Sequence, residues 1–118
     1  VTCVASDPLR LASCNGHLDI VEFLESKGAD VTADNNYAIR FASHYGHLDV
    51  VKFLVSKGAD ITDEDNEAIK WASKNGHLDV VKFLYSKGAN DNYAIQFASE
   101  NGHTDIVRFL ESKGATLA

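Results

Sequence analysis

The side chains best suited to chemistry come in a recurring phrase. Gly16-His17-Leu18-Asp19-Ile20-Val21 returns as Gly46 to Val51, Gly76 to Val81 and Gly102 to Val107, at intervals of 30, 30 and 26 residues. A histidine two positions before an aspartate could serve a metal or a proton transfer, and Ser13, Ser43, Ser73 and Ser99, each following an alanine, could be nucleophiles. The repetition argues otherwise. A catalytic site needs one convergent arrangement, whereas these types return at the same place in every copy. Equivalent residues of stacked helices lie about 8 to 10 Å apart, too far for ligands that each sit about 2 Å from one zinc. His17, His47, His77 and His103 are therefore expected to tie turns to backbone, and the serines to be small residues at a helix contact. His44 is the one histidine outside the pattern, separated from His47 by the Gly46 turn. No catalytic residue, metal site or cofactor follows, and the Lys-Gly and Asn-Gly pairs are helix stops rather than a phosphate cradle.

The elements that carry the phrase repeat with it. Residues 28–57 and 58–87 are identical at 20 of 30 positions without gaps. Asn36 to Tyr45 has apolar residues at helical spacing behind an asparagine cap, with Gly46 as a left-handed stop. Asn66 and Asn92 stand at the same cap position, and the first copy uses Ser6-Asp7-Pro8. Leu48 to Lys57 reads as a second helix, Asp49 and Lys57 complementing its dipole, and Gly58 ends it. Ten-residue helices are marginal alone. Neighbours must complete the core, with Ile39, Ala42, Val51 and Leu54 packing against Ile69, Ala72, Val81 and Leu84 in a solenoid.

Helix, Asn-Gly-His-Leu-Asp-Val-Val, helix, then Lys-Gly-Ala-Asp is similar to the ankyrin repeat over essentially the whole chain, and Asp7-Pro8-Leu9-Arg10-Leu11-Ala12 resembles a degenerate form of that family's Thr-Pro-Leu-His-x-Ala opening. The other units depart from it, with Tyr37-Ala38-Ile39-Arg40, Glu67-Ala68-Ile69-Lys70 and Tyr93-Ala94-Ile95-Gln96. The expected architecture is all-α: one ankyrin-type array, 1–118, of four stacked helix-turn-helix repeats (1–27, 28–57, 58–87 and 88–118). The period of 30 falls short of the family's 33, so stunted connecting fingers are expected. The 30-residue form resembles arrays abundant in large DNA viruses. The fourth unit is shorter still: three residues separate Gly88 from Asn92 where earlier connectors have seven.

Composition narrows the partners. The net charge is −6, from 17 acidic and 11 basic residues, and Lys27, Lys57, Lys87 and Lys113 recur singly. A nucleic-acid binder needs a basic stripe, so none is expected as partner. No apolar run approaches the roughly 20 residues of a membrane helix, and the start lacks a signal peptide's pattern, which gives no membrane partner and an intracellular, cytoplasmic setting. Cys3 and Cys14 are expected as reduced thiols.

Specificity should lie where the copies differ. Aligned, those positions are Tyr37, Glu67 and Tyr93; Arg40, Lys70 and Gln96; Phe41, Trp71 and Phe97; His44, Lys74 and Glu100; Tyr45, Asn75 and Asn101. Their spacing places them along one face of each first helix, the face that the resemblance implies is concave and partner-binding. Tyrosine, tryptophan and arginine are types enriched at interface hot spots. Phe41, Trp71 and Phe97 could instead fill gaps between units. The expected function is non-catalytic: a protein-protein interaction module, monomeric, offering Tyr37, Arg40, Phe41, His44, Tyr45, Glu67, Lys70, Trp71, Lys74, Tyr93, Gln96 and Glu100 to a protein partner. The alternative is a structural spacer, or a fragment of a longer array, associating end to end.

Overall fold

The paired apolar phrases become paired helices in the computed structural model, which describes residues 7–117. They are α1 (Pro8–Asn15), α2 (Leu18–Ser26), α3 (Ala33–His44), α4 (Leu48–Ser56), α5 (Asp63–Lys74), α6 (Leu78–Ser86), α7 (Ala94–Glu100) and α8 (Thr104–Ser112), with no strand among the described residues. Odd-numbered helices pack side by side in one layer, even-numbered helices in a second, and each pair packs across the layers. The result is an all-α solenoid measuring 44 × 25 × 21 Å.

Each helix ends for a local reason. Gly46 has φ 78°, and the bonds His47 N–H to Ala42 O and Gly46 N–H to Ser43 O close α3 in a Schellman turn. Gly58 closes α4 in the same way. At the start of α4, the Asp49 carboxylate accepts the Val50 N–H at 2.8 Å, satisfying one orphan donor where the dipole favours a negative charge. The α1 start is capped by Asp7, whose side chain accepts from Leu9 and Arg10 N–H.

The core is the one anticipated: Ile39, Ala42, Val51 and Leu54, and one unit on Ile69, Ala72, Val81 and Leu84, are all 0% exposed. Ser13, Ser43 and Ser73 are buried beside them with no hydrogen-bond partner at Oγ. Ser99 is exposed.

Three of the four histidines of the phrase, His47, His77 and His103, bond backbone as expected, but backbone of the preceding unit. Nε2–H of His47, His77 and His103 donates to Cys14 O, His44 O and Lys74 O at 2.9, 3.0 and 2.9 Å. Each ring lies against the preceding Gly-His turn, so that a Cβ at Gly16, Gly46 or Gly76 would collide with it. Nothing occupies that space at Gly102. Glycine is thus required twice over, by its positive φ and by the ring.

Two expectations need correction. Asn36 and Asn66 do not cap their helices with their side chains: Asp34, Asn35 and Asn36, and again Glu64, Asp65 and Asn66, have φ between 53° and 61°, a left-handed turn preceding the regular helix. That conformation costs an L-residue roughly 1–2 kcal/mol, with Asp and Asn the most tolerant. Asn36 is buried and reaches the next connector, donating Nδ2–H to Asp63 Oδ2 (2.8 Å) and accepting Asp60 N–H at Oδ1 (2.7 Å). Asn66 Oδ1, where the following connector is four residues shorter, has no hydrogen-bond partner. The second correction concerns Cys14, which is disulfide-bonded rather than a reduced thiol. Cys3, and the Ser6 part of the first cap, lie outside the described residues.

Candidate partner-binding surface

The strip residues sit on α3, α5 and α7, adjacent helices of one layer, or at their caps (Tyr45, Asn75, Tyr93 and Asn101). Helical spacing turns them to a common face while Ile39, Ala42 and their equivalents turn inward. On that face the aromatic side chains meet. Tyr37 stacks on Phe41 (centroids 4.3 Å apart, planes at 19°), Phe41 lies 5.9 Å from His44, and His44 meets Trp71 edge-on at 5.2 Å. Tyr45 packs edge-on against His44 at 4.4 Å. Phe41, Trp71 and Phe97 are half-buried, between the gap-filling and contact roles. Tyr93 stands apart from the cluster, 57% exposed.

Cations cover the rings. Arg10 lies 4.6 Å and Arg40 5.6 Å from the Tyr37 centroid, Lys74 lies 4.8 Å from Trp71, and Lys70 lies 5.9 Å from Tyr93. Each such pair is worth about 0.5–1 kcal/mol at exposed sites. Most of these cations also bind carboxylates of the chain. Arg10 pairs with Asp34; Arg40 bonds Glu67 Oε1 at 2.8 Å; Lys70 reaches Asp65 at 3.4 Å and Asp91 at 3.9 Å. Arg40 also donates Nε–H to Asn35 O at 3.0 Å and a terminal N–H to Asp34 O at 3.4 Å, clasping the left-handed turn. Its guanidinium is directed at its own chain rather than outward.

His44 occupies the centre of the cluster. Asn75 Nδ2–H donates to its Nδ1 at 3.2 Å, so the neutral ring carries its proton on Nε2. Burial holds its pKa below the ordinary histidine value of 6.5, and the His77 and Lys74 charges add to that effect. Gln96 is half-buried and Glu100 exposed on α7.

Two clefts lie between neighbouring first helices. Between α3 and α5 one of about 50 Å³ is lined by Arg40, Phe41, His44, Glu67 and Trp71. Between α5 and α7 one of about 230 Å³ is lined by Glu64, Glu67, Lys70, Trp71, Lys74 and Phe97. The second set includes Glu64, which sequence reasoning missed, as it missed Arg10. Arg10 had a signal, since it aligns with Arg40, Lys70 and Gln96; Glu64 had none, lying in a connector whose left-handed turn brings it to the cleft.

Among the described residues, no three His, Cys, Asp or Glu side chains converge as a metal-holding group, and no helix is long and apolar enough to cross a membrane. Compared with known families, the chain matches the family described as ankyrin repeats (3 copies), over residues 9–93 and again over 40–117. No curated protein matches it.

Proposed function

Because the chain belongs to the ankyrin-repeat family, whose members are generally protein-protein interaction modules, we propose that the face of α3, α5 and α7 receives a protein partner in a non-catalytic complex. One observation carries this reading. On the first helices, the positions that differ between otherwise near-identical copies form a largely half-exposed surface of aromatic rings and cations, while the shared Ile39, Ala42 and their equivalents are buried. Rings of this kind supply large contact area at small entropic cost, the property that makes them hot spots. Tyr37, Trp71 and Tyr93 are the anchors. Arg40 acts indirectly, holding the turn and Glu67 in place. The test is affinity capture with the chain and with a Tyr37, Trp71 and Tyr93 triple alanine variant; partners lost by the variant support the reading, and identical capture by both refutes it.

A second reading has its own observation. Ile20 is 45% exposed although Val50, Val80 and Ile106 at the same place in later units are 0% exposed, and Phe23 beside it is 59% exposed. That face suits end-to-end association as a spacer. Sedimentation across a concentration series separates the two, since strictly monomeric behaviour removes the spacer.

A further inference from the structure

The two clefts between neighbouring first helices share one frame and differ in most of the side chains that line it. In the smaller, Tyr37 stacks on Phe41, Trp71 closes the far side, and His44 stands at the end near the Gly-His turn. In the larger, Glu67 replaces Tyr37, Lys70 replaces Arg40, Trp71 replaces Phe41, Lys74 replaces His44 and, on the far side, Phe97 replaces Trp71. One indole and one phenyl line each cleft, but the larger lacks the stacked tyrosine ring, and its volume is about 230 Å³ against about 50 Å³. What remains is an apolar floor of Trp71 and Phe97.

The charges around that floor are unequal. Glu67 is neutralised by Arg40 at 2.8 Å, and Lys70 by Asp65 and Asp91. Glu64 is exposed, so water screens it. Lys74 is half-buried against the Trp71 ring, and among the described residues no carboxylate lies within 4.0 Å of it. In the neighbouring cleft the same position holds a neutral imidazole already bonded by Asn75. Of these two clefts, the larger alone offers a positive charge without a carboxylate partner beside an open aromatic floor.

We infer that this cleft takes a partner segment carrying an apolar side chain, seated on Trp71 and Phe97, beside an acidic residue whose carboxylate meets Lys74. The inference rests on the reading of the face as a partner surface and adds the chemistry of the partner. The net charge of −6 opposes an acidic segment at long range. At physiological salt, however, charges beyond about 8 Å are screened, and the local contact decides.

The experiment is selection of a displayed random-peptide library on the immobilised chain, repeated on Lys74→Glu, Lys74→Gln and Trp71→Ala, each checked for a native-like far-UV CD melt. The expected motif is an aromatic or branched apolar residue with Asp or Glu within two positions. Lys74→Glu should turn the acidic preference into a basic one, and Lys74→Gln, which keeps the test available if the charge reversal disturbs folding, should erase it. A synthetic peptide of the selected sequence should shift the emission of Trp71, the single tryptophan, and bind Trp71→Ala at least tenfold more weakly. Peptides that need Trp71 but show no acidic preference, or keep it in Lys74→Glu, overturn this inference and leave the face as a partner surface. Peptides indifferent to Trp71→Ala and to the triple alanine variant, or no enrichment at all, overturn both.

Discussion

Replacing Gly46 by alanine tests the stacking contact more sharply than any core truncation. Gly46 and Gly102 have the same φ of 78°, but the added methyl meets the His77 ring at Gly46 and open space at Gly102. Backbone strain should be common to both, roughly 1–2 kcal/mol for alanine in the left-handed region. At Gly46 the His77 ring must also leave its seat. That forfeits its bond to His44 O at 3.0 Å, about 0.5–1.5 kcal/mol net, and adds overpacking of about 1–3 kcal/mol. Gly46→Ala should therefore exceed Gly102→Ala by about 1.5–4.5 kcal/mol, and a chain of this length shifts its Tm by roughly 4 °C per kcal/mol. Urea unfolding followed by Trp71 emission and by far-UV CD supplies both the values and a check that the transitions coincide. A double-mutant cycle isolates the contact: with His77→Ala already present, Gly46→Ala should fall back to the strain alone. Equal losses at positions 46 and 102, or additivity within about 0.5 kcal/mol in the cycle, would show that the ring does not occupy the glycine.

Leu54, fully buried, should lose about 2–5 kcal/mol on change to alanine, whereas exposed Lys52 should lose under about 0.5 kcal/mol; thermal melts compare them. Ser43→Ala removes a hydroxyl that is buried without a partner and installs a better helix former, so urea unfolding should show a change between about zero and 1 kcal/mol of added stability. Burial lowers the pKa of both His44 and His77 from 6.5. The unfolded chain therefore binds protons that the folded chain refuses, so stability is complete above pH 6.5 and falls as the pH drops through the lower folded values. The Tm should be lower at pH 5.5 than at pH 7.5, and His77→Gln should flatten that dependence.

Helices and core were legible because they rest on periodicity. Ile39, Ala42, Val51 and Leu54 recur at helical spacing in every copy, and burial follows from spacing alone. The left-handed turns at 34–36 and 64–66 were not, because Asp and Asn tolerate both signs of φ and nothing periodic records which sign is used. Asn36 read as a cap for the same reason: its side-chain partners, Asp60 N–H and Asp63, lie in the next connector and reach it only through the fold. The histidines were legible as backbone ties, but their direction, back into the preceding unit, is a property of stacking. At the partner surface the strip positions could be found by comparing copies. The commitment of Arg40 to Glu67 and to the turn could not, since it depends on a carbonyl geometry that composition does not encode.

The histidine seat also defines a grammar for joining units. Each turn offers a bare glycine and a carbonyl; each following unit brings the imidazole that fits them, and the partners are the same types at Gly16, Gly46 and Gly76. Excising residues 28–57 as a block would set the His77 ring over Gly16 through a seam already tolerated elsewhere. A cut of equal length displaced by half a unit would also leave a full set of turns, but with a foreign first helix behind the imidazole at the junction. Whole units are thus interchangeable at the histidine seat, so an array of this kind can lengthen or shorten by duplication and loss without redesigning that contact, while the pairs across its open face, such as Arg40 with Glu67, must be remade.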